Sequence, residues 1–316
     1  MTLYRFCLHR LYGILLSVWG ATLLAFALVS LAPGDPAEIM LDTSGMYTPS
    51  VEEIQEARER LGLTQPLWRQ YVHWLQGILT GDWGTSFHTG RPVLEEILRH
   101  ALPTGLLALL ALFWTILGSL LLACFLCLSE CRMLQHGLHG FLVVLLALPN
   151  FLGCLLLIYI WGEVLGLLPT GGNEGFSSYL LPSLALSSVT MATNAEFLYM
   201  RLQEERHQPY ALVAHARGIS KWRWFFRYPL PNAALSSLAI WGNFFGATLG
   251  GSIVVETLFG IPGLGSLAFE AASFRDRPLL EGYVVFVGIS YAIATTLADM
   301  LAYIIDPRAL LGGEKT

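Results

Sequence analysis

The stretch YALVAHARGISKWRWFFRYPLPNAA, residues 210–234, places Arg217, Lys221, Arg223 and Arg227 within eleven positions, with Gly218 at the head of the cluster. On either side the chain carries no charge, over 176–195 before it and 229–255 after it. Both runs reach the roughly 18–20 apolar residues that cross a bilayer. A basic, aromatic interruption between two such runs reads as a loop at a membrane face, and the topology of the chain follows from that loop outward.

Further uncharged runs lie at 11–31, 101–128 and 140–162, and another at 282–305 is broken only by Asp299. Lipid offers no water to unpaired backbone groups, so runs of this length must be helical. The sequence therefore predicts an all-α integral membrane protein forming one domain over 1–316. Its six transmembrane helices are expected at about 11–31, 101–128, 140–162, 176–198, 232–255 and 282–305. Composition agrees: 54% of residues are hydrophobic and 13% charged, against about 25% charged in a soluble domain. The first run is too long for the apolar part of a signal peptide, and Pro33–Gly34 stand where a cleavage site would be, so a retained helix is expected.

Orientation follows Lys and Arg in short loops near the span ends. Arg5 and Arg10 precede the first run, Arg201 and Arg206 join the cluster in the 201–228 loop, and Arg308 and Lys315 close the tail. Both termini and the 201–228 loop are thus expected in the cytoplasm and residues 32–100 outside, in the periplasm. That segment holds ten acids and five arginines, which matters little because long segments translocate regardless of charge.

Within 32–100, Thr48-Pro49-Ser50 before VEEIQEARERLG is a helix start, and Gly62 a stop. In PLWRQYVHWLQGILTGDWG, helical spacing puts Leu67, Tyr71, Trp74, Leu75 and Ile78 on one face, as expected of a helix lying on a membrane surface. The segment reads as a cap on the helix ends, with direct substrate contact as the alternative. Gly242, Gly246 and Gly250, four apart and followed by Gly251, allow another helix backbone to come close. Packing within the chain and a subunit interface or pore wall are equally open readings. Residues 256–278, ETLFGIPGLGSLAFEAASFRDRP, are too apolar for a free loop and are expected to dip back toward the membrane.

No catalytic constellation is present. The chain lacks G-x-x-x-x-G-K-S/T, H-E-x-x-H and G-x-S-x-G, so it is expected not to hydrolyse nucleotide, peptide or ester itself. His136 and His139 are read as structural rather than as metal ligands. Of Cys7, Cys124, Cys127, Cys131 and Cys154, none falls in an external loop, and Cys124-x-x-Cys127 is read as a pair of small membrane residues. Asp299 is the one acid inside a span, seven positions before Asp306. A partner arginine on the cytoplasmic side and ion coupling both account for it. Glu163 and Glu196 flank helix ends. Midplane acids on broken helices, the mark of an ion-driven transporter, are missing, so the energy is expected to come from another subunit.

The basic loop itself reads as helix–turn–helix. Tyr210, Val213, Ala214 and Arg217 fall at helical spacing, and Gly218 is placed to end that helix in a left-handed conformation. Ser220 then caps a second short helix carrying Trp222, Phe225 and Phe226 among basic residues. Such a surface suits a groove on a partner protein, with anionic lipid as the alternative.

ALVAHARGISKWRWFFRYPLPNAA resembles the cytoplasmic coupling loop of bacterial ABC-importer permeases, whose core pattern is E-A-A-x-x-x-G. Ala214 matches the second alanine and Gly218 the glycine, while Leu212 stands for the Glu and Val213 for the first Ala. LAPGDPAE, RLGLTQPLWRQYVHWLQGILTGDWGTSFHTGRPV, LALPNF, VVETLFGIPGLGSLAFEA and DMLAYIIDPRAL are each similar to the dipeptide/oligopeptide/nickel class, and within it to the first-encoded of two permease subunits.

The resemblance implies a subunit of the bacterial inner membrane that pairs with a second homologous permease. A periplasmic substrate-binding protein would deliver small peptides, nickel or a metal chelate, and two ABC ATPases would bind ATP and Mg inside, with no cofactor on this chain and no nucleic acid. It further implies that Tyr210, Ala214, Arg217, Gly218, Lys221 and Arg223 couple to an ATPase, and that Glu256, Phe259, Pro262, Gly263 and Gly265 belong to an outer gate. The alternatives are an ion-coupled transporter or channel acting without an ATPase, and a membrane scaffold.

Overall fold

The computed structural model describes residues 3–31, 34–41, 48–172 and 175–305. The side chains of Arg5 and Cys7, together with Asp306, Arg308 and Lys315, lie outside the described residues. Among those described, every regular element is a helix. In chain order they are α1 (Leu3–Leu31), α2 (Pro36–Leu41), α3 (Val51–Arg60), α4 (Leu67–Thr80), α5 (Val93–Leu128), α6 (Arg132–Ala147), α7 (Asn150–Leu157, continued as a π-helical turn to Val164), α8 (Leu180–Arg206), α9 (Pro209–Ala216), α10 (Lys221–Arg227), α11 (Pro229–Leu249), α12 (Ile253–Phe259), α13 (Leu264–Ser273) and α14 (Arg277–Ile305).

Helix starts follow local chemistry. Ser50 and Glu53 form the reciprocal capping box of α3, with the Ser50 amide donating to Glu53 Oε2 at 2.7 Å. Pro229 opens α11 at its first turn, where a missing amide hydrogen costs nothing. Ser220 does sit at the N-cap of α10, but its side chain makes no capping bond, contrary to the expected serine cap.

The expected helix at 140–162 is broken. Its first part belongs to α6 and its second to α7, and the two meet at 111°. Pro149 cannot donate to the ladder and forces the residue before it into extended backbone, and Leu148 takes ψ 126°. The helix expected at 232–255 is bent too, by 59° between α11 and α12. There Gly250 and Gly251 interrupt, and Gly251 adopts φ +82°.

The bundle is layered. α1 packs on α14, α14 on α11, and α11 on a central pair, α5 and α8, while α6 and α7 cover the other side of α8. Among the described residues, three continuous helices, Tyr12–Leu31, Val93–Leu128 and Arg277–Ile305, are long and apolar enough to span a membrane, and the two bent pairs qualify if each counts as one span. The segment expected as the fourth span is α8. At 27 residues it has the length, but its serines, threonines and asparagine dilute its hydropathy. Those hydroxyls turn back on their own helix: Ser183, Ser187 and Ser188 donate to the carbonyls of Leu180, Leu184 and Ala185 at 2.8–3.0 Å. Asn194 donates to Ser119 of α5 at 3.0 Å. A polar helix can therefore occupy the middle of an apolar bundle.

The glycine row of α11 packs inside the chain. A Cβ on Gly242 would lie 2.1 Å from the Ala298 Cβ of α14, and one on Gly246 or Gly250 would lie 3.0 Å from Tyr291 or Val287. Absent side chains let the two backbones close, as small residues do between membrane helices. The same α14 is pinned to α1 near both ends. Arg10 Nη1 lies 2.6 Å from Asp299 Oδ2, and Arg277 reaches the Ser30 hydroxyl at 3.3 Å. Asp299 thus has the arginine partner that was one of its two readings.

The 48–100 segment packs on the helix ends at the second of those pins. The Tyr71 and Thr22 hydroxyls are 2.9 Å apart, and buried Asp276, at the corner between α13 and α14, accepts from the Ser86 hydroxyl at 2.5 Å and the His88 amide at 3.1 Å. This end is the cap end of the bundle, and the end carrying α9 and α10 is the loop end.

Candidate functional site

At the loop end, α9 and α10 form the expected helix–turn–helix. Gly218 takes φ +70°, the left-handed conformation that a β-branched residue resists. The Ile219 amide closes the turn on the Ala214 carbonyl at 3.2 Å. Each helix has an inner and an outer face. Ala211 and Ala214 of α9 and Trp224 and Phe225 of α10 are buried, in one cluster with Leu198 and Leu202 of α8, Ala123 and Cys127 of α5, and Ala233 of α11. Leu212 (77% exposed), Val213, Trp222 (61% exposed) and Phe226 point outward. Trp222 and Phe226 stack with ring centres 6.0 Å apart.

Two expectations need correcting. Phe225 is a core residue and not part of the outward surface, because it follows Trp224 on the buried side of a helix only two turns long. Val213 does not share a face with Ala214 in the fold; its side chain lies outside while Ala214 is buried in the core cluster. Arg217, Lys221 and Arg223 are exposed beside the apolar patch, and Tyr210 is half-buried.

Polar partners that the sequence did not single out, Glu205, Asn232 and Glu130, hold the loop to the bundle. Tyr210 Oη donates to Glu205 of α8 in a short hydrogen bond, and Asn232 of α11 donates to the same carboxylate at 3.4 Å. Burial pushes the Tyr210 phenol above the ordinary tyrosine range, and the Glu205 carboxylate adds to the shift. Arg206 donates to the Cys127 carbonyl at 2.5 Å. Lys221 pairs with Glu130, just past α5, at 2.8 Å, and its hydrogen bond and charge hold the Glu130 carboxyl below its ordinary value. The loop is thus tied to α5, α8 and α11 together.

Toward the cap end, the 256–278 segment is a helical hairpin, α12 and α13, folded against α5. Glu256 and Phe259 are fully buried, Gly263 and Gly265 are buried beside them, and Pro262 is exposed. Glu256 Oε1 accepts from the Thr104 hydroxyl of α5 at 2.9 Å and Oε2 from the Ser266 amide at 2.9 Å. The same Thr104 oxygen accepts from the Leu264 amide at 2.7 Å. Glycine makes the clasp possible: a Cβ on Gly263 would lie 2.5 Å from both Glu256 Cδ and Thr104 Oγ1, and one on Gly251 would lie 2.3 Å from the Gly265 amide. The structure does not bring these residues together with the loop; the two sites sit at opposite ends of α5.

His139 hydrogen-bonds Glu196 at 2.8 Å, and Cys124 and Cys127 are free thiols among apolar neighbours. Above the α14 start, a cavity of about 490 Å³ lies between the cap and the bundle, bordered by Arg60, Trp74, Trp83 and Arg277.

Residues 116–310 match the family described as binding-protein-dependent transport system inner membrane component, and residues 3–108 match the N-terminal model described for the same transport-system membrane components. Two relatives are called glutathione transport system permease protein GsiC. That of Salmonella choleraesuis (strain SC-B67) is 31% identical over 303 residues, covering 96% of this chain and 98% of its own. That of Escherichia coli (strain K12) is 29% identical over the same coverage. Among solved structures, an amino acid ABC transporter with histidines aligns at a TM-score of 0.49 and 20% identity, over 68% of this chain and 94% of its own.

Proposed function

Since the chain belongs to the family of binding-protein-dependent transport system inner membrane components, and is an ABC-importer permease of the bacterial inner membrane rather than an enzyme, we propose that its cargo is a small peptide. The similarity to permeases named for glutathione transport supports that size and chemistry over free nickel or a metal chelate. We further propose that it pairs with a second, homologous permease, with the cap end facing a periplasmic binding protein. The loop end would face two ATPases that bind ATP and Mg.

The loop end carries this reading. An outward apolar patch of Leu212, Val213, Trp222 and Phe226, ringed by Arg217, Lys221 and Arg223, fits a groove on a partner protein better than a lipid surface. Stacked aromatics on a rigid turn fit a protein pocket, and Gly218 holds the turn. Because Tyr210 bonds Glu205 of α8, Lys221 bonds Glu130 just past α5, and Asn232 of α11 and Arg206 link α11 and α5 to the same end of α8, displacement of the ATPase would move α5, α8 and α11 as a unit. The clasp around Glu256 sits where α5 and α11 would relay that displacement to an outer gate. Six spans, with α8 as the central one, complete the proposal.

Uptake into proteoliposomes containing this chain, the second permease, the ATPases and the binding protein tests it. Labelled dipeptide, glutathione and a nickel chelate are compared with and without internal ATP. ATP-dependent accumulation of a peptide is expected. Accumulation of the nickel chelate alone overturns the cargo, and uptake that follows a proton gradient without ATP overturns the coupling.

A further inference from the structure

α4 has three distinct faces. Tyr71 and Trp74, expected on a membrane-facing side, instead meet α1, their rings 5.5 and 5.9 Å from that of Phe26. Arg69, His73, Gln76 and Thr80 form a polar row. Between these two faces runs a third, Trp68, Val72, Leu75 and Leu79, at the i, i+4, i+7, i+11 spacing of one helical stripe. Among the described residues nothing covers most of it: Trp68 is 62%, Val72 44% and Leu79 78% exposed.

The depth of that stripe follows from the pins on α1. Arg10 and Ser30 mark the two ends of the α1–α14 pair and lie twenty positions apart, roughly 30 Å of helix, the thickness of a hydrocarbon core. No charged residue of α1 lies between them. Phe26 is four positions, about 6 Å, inward from Ser30, and Thr22 is eight positions, about 12 Å. α4 touches α1 at these two residues, so its contacts lie below the level of the outer pin.

We infer that α4 is an interfacial helix embedded in the bilayer, with the Trp68–Val72–Leu75–Leu79 stripe buried against lipid acyl chains at the headgroup boundary. The depth is that of amphipathic helices seated about 5–10 Å into this boundary. Arg69, whose guanidinium lies 5.1 Å from the Trp68 ring, sits at the level of the lipid phosphates, and Trp68 is an aromatic anchor of the kind concentrated at membrane interfaces. The lipid contact fixes the height of the cap and of the cavity beneath it, because α4 borders that cavity through Gln70, Trp74 and Gly77. The inference rests on the membrane placement of α1 and α14 and is independent of the ATPase-coupling proposal.

Nitroxide labels on the assembled transporter in lipid nanodiscs test it, with native cysteines replaced by serine and single Val72→Cys, Leu79→Cys, His73→Cys or Gln76→Cys changes. All four positions are exposed or half-buried, so variants that keep the parent thermal midpoint are compared. Labels at Val72 and Leu79 are expected to favour collision with oxygen over a water-soluble nickel chelate several-fold more than labels at His73 and Gln76. Equal chelate access at all four positions overturns the inference. Protection of Val72 and Leu79 from both quenchers also overturns it, assigning the stripe to a protein partner instead.

Discussion

Thr104 of α5 and Glu256 of α12, 152 positions apart in the chain, share a hydrogen bond of 2.9 Å inside a pocket walled by glycine backbone. The threonine oxygen also receives the Leu264 amide, so one hydroxyl holds both arms of the α12–α13 hairpin. Thr104→Val keeps the shape and removes both contacts, leaving a buried amide and a carboxylate oxygen short of partners. A loss of about 1–3 kcal/mol is expected, read as a lower unfolding midpoint of the purified complex; an unchanged midpoint contradicts the clasp.

Gly263→Ala attacks the same clasp from the backbone side. Its Cβ would meet Glu256 and Thr104 at 2.5 Å, and overpacking of this kind costs about 1–3 kcal/mol. Gly13→Ala, where nothing lies within 4 Å, is the control, and parity between the two variants in thermal unfolding would count against the geometry.

Gly218→Val places a β-branched residue at φ +70°, a conformation that costs a non-glycine residue about 1–2 kcal/mol. The turn is expected to open, so that the assembled complex still hydrolyses ATP while peptide uptake falls. The ratio of ATP consumed to peptide accumulated is the readout, and an unchanged ratio with full uptake refutes the role of the turn.

Trp222 and Phe225 are three positions apart and face opposite ways. Trp222→Asp is expected to leave the fold intact and to weaken copurification of the ATPase. Phe225→Ala empties a core site and is expected to cost about 3–5 kcal/mol of stability. Reversal of these two phenotypes would mean that the faces are assigned wrongly.

Asp299→Asn tests the ion-coupled alternative. With Arg10 as its partner and both side chains partly solvated, the pair belongs with exposed ion pairs worth about 0–1 kcal/mol. ATP-driven uptake is expected to change less than about twofold, which corresponds to well under 1 kcal/mol. Its abolition would make Asp299 the residue to study.

Much was legible beforehand because it depends on local chemistry. Pro149 and Gly251 mark bends whose causes are in the sequence, although the 111° turn at Pro149 was hidden inside an uninterrupted apolar run. The Ser50–Glu53 box and the left-handed Gly218 were both readable from residue type and spacing. The sides of the loop helices were not, because α10 is aromatic and basic all round and only its neighbours decide that Trp224 and Phe225 go in.

What the sequence determined alone is the class: a helical membrane chain, a basic loop at one face, and the motifs that place it in its family. Charge, turn residues and apolar length act at each position in turn, so they survive without coordinates. The tertiary structure alone decided that α8, the most polar of the long helices, lies at the centre, and that Thr104 meets Glu256. It also showed that the α11 glycines face α14 and that one stripe of α4 stays uncovered. A helix apolar on every side carries no mark of which face meets which neighbour; close packing of distant segments supplies it.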